Sequence, residues 1–200
     1  MKRTSKTCIA VIKLRSGRLM MAGDRRVSCE DGTIFKCPFP KISKKSNGML
    51  VGASGDSALC KLVVDIFKPP KITCDTETYM YYVLRDRLYT LLKNQPGYKD
   101  EHNNLRLSHD ESCSALFAVN GSLYTVDIGS PDDNKSIGRI ILDDAPIPFA
   151  IGCGGTAAMS VLTAKKQEFG YLNKEHLHTA LETAAQLNNG CDDSVDFIKE

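Results

Sequence analysis

No stretch of the sequence approaches the roughly 20 consecutive apolar residues of a membrane-spanning helix. The apolar run nearest the N-terminus, Cys8 to Ile12, ends at Lys13, and no small-residue cleavage site for export follows the basic segment Met1 to Lys6. The expectation is a soluble, cytoplasmic protein that does not engage a membrane. Neither sign of charge dominates, with 26 Lys and Arg against 24 Asp and Glu and a net charge of +2, so nothing in the composition calls for nucleic acid as a partner. Cys-x-x-Cys is absent, and His176 and His178 stand two apart on an expected helix, where side chains diverge. No metal site and no cofactor are therefore assigned. Internal repeats, linkers and low-complexity tracts are also missing, which leaves one domain. A chain of 200 residues with 42% hydrophobic content suffices for a single core burying about 70% of the unfolded surface.

Cysteine is plentiful, at positions 8, 29, 37, 60, 74, 113, 153 and 191. Most sit in apolar runs without an export signal, so they read as reduced thiols rather than disulfides.

Strands crowd the first part of the chain. Residues 8 to 14 and 18 to 28 flank the short turn Arg15-Ser16-Gly17, and a strand over 49 to 53 follows Asn47-Gly48. These runs are apolar on both faces, which predicts a sheet covered on both sides. Leu59, Leu62, Val63 and Ile66 recur at helical spacing until Pro69-Pro70, and Met80, Val83, Leu84, Leu88 and Leu91 until Pro96-Gly97. Residues 94 to 111 read as a polar loop. Strands are then expected over 113 to 119, 122 to 128 and 147 to 151, helices over 156 to 169 and 174 to 187, and a last strand near Ile198. Strands, helix pair, strands, helix pair is the order in which two sheets stack between helical layers, an α+β domain.

Thr7 opens the first apolar run and is the best nucleophile candidate in the chain. A threonine hydroxyl needs a base, and a free α-amino group on the same residue can serve, provided Met1 to Lys6 are removed as a pre-segment and 7 to 200 form the mature domain. An α-amine titrates at about 7.7 to 8.0, and a nearby ammonium, here Lys41, would lower that value and free the amine to accept a proton. Asp24 could keep Lys41 charged and aimed. Gly52 could present its backbone N–H to an oxyanion, and Ser28 could hydrogen-bond an extended peptide. Each residue alone has an ordinary structural reading; their order and spacing carry the inference.

Thr-x-Ile at 7 to 9, Ala-Gly-Asp at 22 to 24, Lys-Ile at 41 to 42, Gly-x-x-Gly-Asp at 52 to 56 and Ile-Gly-Cys-Gly-Gly at 151 to 155 resemble, in order, the landmarks of proteasome β-type subunits and HslV-like peptidases. The resemblance spans nearly the whole chain. It implies the four-layer αββα sandwich of N-terminal nucleophile hydrolases, with Thr7 as nucleophile, Asp24 as orienter and Lys41 as tuner of the amine. It further implies a threonine-type endopeptidase working as a homo-oligomer of stacked rings on unfolded polypeptide, with an ATP-dependent unfoldase ring as partner. The chain differs from that pattern at Lys6, where the family carries glycine, and at Cys153, a possible support residue where it carries serine. It differs again at Asn189 and at Cys191-Asp192-Asp193, where an aspartate and Ser-Gly-Gly are usual.

Three other readings stay open at this level. One is a silent ring subunit that keeps the fold for assembly. Another is an amidase of the same superfamily acting on small amides. The third takes Cys8 as nucleophile after loss of seven residues.

Overall fold

The computed structural model describes residues 3–5, 7–29, 34–37, 39–108, 110–130, 138–188, 191–192 and 194–200. Two antiparallel sheets organise them. The smaller has the order β11 (Phe149–Ile151), β2 (Ile9–Lys13), β3 (Leu19–Asp24), β12 (Val195–Lys199). The larger runs β10 (Arg139–Asp144), β9 (Ser122–Gly129), β8 (Cys113–Val119), β7 (Leu50–Asp56), β1 (Arg3–Ser5), β4 (Arg26–Cys29), β5 (Ile34–Lys36), and β6 (Ile42–Lys44) also pairs with β7.

The helices follow the expected apolar spacing and stop where the sequence breaks them. Asp56 caps α1 (Ser57–Lys61), accepting from the N–H groups of Ala58 and Leu59, and the helix widens into a π-helical turn over Leu62–Ile66 before Phe67 turns extended ahead of the two prolines. Asp75 caps α2 (Thr76–Thr78), which continues through a π-helical stretch, Tyr79–Leu84, into α3 (Arg85–Lys93). Gly170, in the left-handed region, ends α4 (Gly155–Phe169), and Asn173 caps α5 (Lys174–Leu187).

Three apolar cores result. Ile9, Val11, Leu19 and Met21 of the smaller sheet meet Ile42, Leu50, Leu116 and Ala118 of the larger. The opposite face of β2 and β3, with Cys8, Ala10, Ile12 and Ala22, packs on Ala158 and Leu162 of α4 and on Leu177, Leu181 and Ala184 of α5. Met49, Val51, Ala53, Ala115 and Phe117 pack on the helical segments from Leu59 to Leu92. Residues 9 to 12 are buried on both faces, as their unbroken apolar run requires.

The expected strand over 18 to 28 is in fact two strands on different sheets. The break falls at Arg25, whose guanidinium pairs with Asp196 of β12 at 2.6 and 2.7 Å while Arg26 already belongs to β4. The Asp24 carboxylate accepts from the Arg26 N–H at 3.3 Å, a local turn that carries the chain from one sheet to the other. Four short strands, β1, β5, β6 and β10, add to those expected. Among the described residues, no helix is long and apolar enough to cross a membrane.

Candidate active site

The corner at Asp24 places its carboxylate at the centre of a buried polar cluster. Oδ1 accepts from the Thr7 hydroxyl, from the Cys8 N–H at 3.0 Å and from Lys41 Nζ at 3.2 Å. Oδ2 accepts from the N–H groups of Arg26 at 3.3 Å and Asp192 at 3.1 Å. Five donors from four parts of the chain thus converge on one carboxylate, as burial of a charge demands. Thr7 and Asp24 are inaccessible to solvent and Lys41 is 7% exposed. Lys41 also donates to the Arg26 carbonyl, and its own carbonyl accepts from the Ala53 N–H at 3.2 Å, so β6, β4 and β7 all fix it.

The turn Gly152-Cys153-Gly154 closes the other side of Thr7. The Gly154 N–H donates to the Thr7 carbonyl at 3.4 Å, and the Cys153 Sγ lies 3.5 Å from the same oxygen. Cys153 stands 3.7 Å from the Sγ of Cys191. A hydrogen bond from Cys191 is the largest influence on Cys153, bringing it down from the ordinary 9.0 to about 6, while Cys191 is driven the other way.

Gly52, the expected oxyanion donor, lies in the interior of the larger sheet. It sits inside β7, paired with Ile42 on one side and Leu116 on the other. A Cβ there would meet Met21 Sδ at 2.9 Å and Ile42 and Ile9 Cγ2 at 3.0 Å, so the residue faces the core between the sheets and serves packing. Gly55 is the motif glycine that pairs with the segment leading to Thr7, opposite Ser5. Ser28 lies on β4 in register with Thr4.

Cys8, the alternative nucleophile, is buried. It points into the core beneath α4 and α5, and burial, the largest influence, pushes its thiol up to about 12. His176 is buried and stacked on Phe169, whereas His178 sits 3.2 Å from Glu182. Lys6, His109, Asn189 and Asp193 lie outside the described residues.

Two features of the cluster left no residue-type signal: the Asp192 and Arg26 N–H groups and the Arg26 carbonyl. Backbone donors and acceptors are common to nearly every residue, so spacing alone does not mark them.

No known family profile and no curated protein matches the sequence. Solved structures do match in fold. BPH of Thiobacillus denitrificans, solved in complex with epoxomicin, aligns at 15% identity over 96% of this chain and 97% of its own, with a TM-score of 0.70. HslV of Trypanosoma brucei aligns at 19% identity over 96% and 98%, TM-score 0.58. Anbu of Yersinia bercovieri aligns at 16% identity over 97% and 81%, TM-score 0.59. The chain therefore shares the fold of these proteasome-like proteins.

Proposed function

We propose that the chain is a threonine-type endopeptidase subunit of a self-compartmentalising, proteasome-like ring, built as an αββα sandwich and active once Met1 to Lys6 are removed. The observation that carries this reading is the convergence of Thr7, Asp24 and Lys41 on one buried cluster. In the reaction, the freed α-amine of Thr7 takes the hydroxyl proton, Oγ1 attacks the peptide carbonyl, and the amine returns the proton to the leaving nitrogen. Water then hydrolyses the acyl-enzyme. Lys41, held by Asp24, supplies positive charge beside the amine.

The pre-segment supports a binding mode for substrate. Residues 3–5 form β1, inserted antiparallel between β4 and β7, with Thr4 opposite both Ser28 and Asp56. Their removal leaves two strand edges facing one gap, where an extended peptide can pair by its backbone. Ser28 is on β4, the strand at one edge of that gap. Anbu of Pseudomonas aeruginosa, which matches at 14% identity over 97% of this chain and 80% of its own with TM-score 0.55, was solved as a helical assembly, and self-assembly is proposed here by analogy. An unfoldase partner is part of the same proposal.

A second reading, a silent ring subunit, is favoured by one observation: Thr7 is wholly buried, with β1 still in the larger sheet. Turnover of an unstructured polypeptide by wild type and Thr7→Ala separates the two. The peptidase reading expects turnover that the variant abolishes while keeping the oligomer's size; equal turnover in both would sink it. Hydrolysis of small amides alone would point to the amidase.

A further inference from the structure

Among the described residues, two thiol pairs stand at the same separation and in opposite surroundings. Cys60 and Cys113 lie 3.7 Å apart, both buried in the core beneath the first helices. Cys153 and Cys191 also lie 3.7 Å apart, but Cys153 is exposed, and Cys191 borders a surface cleft lined by Arg26, Glu182, Ala185, Gln186 and Asp192. The approach of the second pair depends on the residue after Cys153. A Cβ on Gly154 would come within 2.6 Å of Cys191 Sγ and 2.9 Å of Cys8 Cβ, so only glycine leaves room for the sulfur beside the turn.

We propose that Cys153 and Cys191 form a reversible peroxide-sensitive pair, Cys153 as the sulfur that is oxidised and Cys191 as the one that resolves it. The Cys153 thiolate attacks a hydroperoxide oxygen, the O–O bond breaks, and hydroxide (or alkoxide) leaves, giving the sulfenic acid. Cys191 sulfur then attacks the Cys153 sulfur; the S–O bond breaks, the hydroxyl leaves with the Cys191 proton as water, and the disulfide closes. Two thiols lose two electrons and two protons to one hydroperoxide, and an external dithiol reverses the change.

Reactivity follows the thiolate, and the two pairs differ there. The groups facing Cys153 are Cys191, Asp24, Lys41 and the Thr7 backbone; the Cys191 hydrogen bond outweighs burial and the Asp24 charge and sets Cys153 near 6. Around Cys113, the bond to Cys60, burial and the charges of Asp56 and Asp127 all act in the raising direction. At neutral pH, Cys153 is therefore the nucleophile and Cys113 is not.

The disulfide would tie the turn that holds the Thr7 carbonyl to the segment whose Asp192 N–H holds Asp24. Its effect on turnover rests on the peptidase reading above; its formation does not. The test is a peptide mass map of the native full-length protein treated with hydrogen peroxide, alkylated under denaturing conditions and digested without reductant. The expected result is one linked peptide joining Cys153 to Cys191, lost on adding dithiothreitol, with Cys60 and Cys113 fully alkylated. In Cys191→Ser, which keeps a hydrogen-bond donor beside Cys153, the link disappears and Cys153 is trapped by dimedone as the sulfenic acid. The proposal is overturned if wild-type Cys153 is recovered alkylated or as sulfinic acid without the link, or if Cys60 and Cys113 join first.

Discussion

Gly152 stands so close to Thr7 that a Cβ on it would lie 2.0 Å from the Thr7 carbonyl oxygen. Its φ of +89° adds a backbone conformation that other residues resist. Because the obstructing atom is backbone, no rotamer change relieves the clash. Gly152→Ala should lose far more than about 1 kcal/mol, the scale of a left-handed glycine replaced in open space. Gly170→Ala is the control, with φ +73° and nothing within 4 Å of the new methyl. Urea midpoints of the two variants check this; equal losses would mean that Gly152 makes no contact of consequence with Thr7.

Lys41 is the ammonium that balances Asp24, and side-chain exposures of 6% and 0% put both charges out of water. Lys41→Met keeps the volume but strands the carboxylate. Its expected cost is about 3 to 5 kcal/mol, read from urea denaturation. A loss under about 1 kcal/mol would show that the backbone N–H donors satisfy Asp24 without the lysine.

Gly52→Ala tests the packing of that residue between the two sheets. The added methyl meets the ends of Met21, Ile42 and Ile9, side chains that can yield only by disturbing the core between the sheets. A destabilisation of about 1 to 3 kcal/mol is expected, and a stability equal to wild type would contradict the placement.

Lys45 should make stability rise with pH. Burial lowers it from the ordinary 10.5 to about 8. Between those values the unfolded chain holds a proton that the folded chain has released, so unfolding free energy increases with pH through that window and the penalty is full below pH 8. Lys45→Met removes it. The Val64 carbonyl that Lys45 contacts keeps the Ser43 hydroxyl at 2.7 Å. The variant should melt above wild type at pH 7, with the advantage shrinking toward pH 10; no difference at pH 7 would refute the argument.

Most of the fold was legible because its strands and helices carry unbroken or periodic apolar residues bounded by Gly, Pro and Asn-Gly. The helices halt close to Pro69-Pro70 and Pro96-Gly97, and Asn120-Gly121 turns the β8–β9 hairpin. The strands that escaped were short and half polar: Ile42-Ser43-Lys44 and Arg139 to Asp144 draw their places from pairing with β7 and β9, which local pattern does not encode. The split at Arg25 escaped because its cause is a side chain reaching across to Asp196, which local pattern does not encode. The convergence of Thr7, Asp24 and Lys41 on one cluster was legible through their order. That Gly55 rather than Gly52 borders the pre-segment was not legible, because two motif glycines three residues apart do not say which one does.

Activity turns on whether the bond between Lys6 and Thr7 is cut, and the intact mass of the purified, assembled protein reads this directly. The peptidase assignment predicts a chain beginning at Thr7, with the α-amine free beside Lys41 and the gap between β4 and β7 open. An assembled particle in which every chain retains Met1 to Lys6 would contradict it, leaving Thr7 acylated and the protein a silent member of the fold.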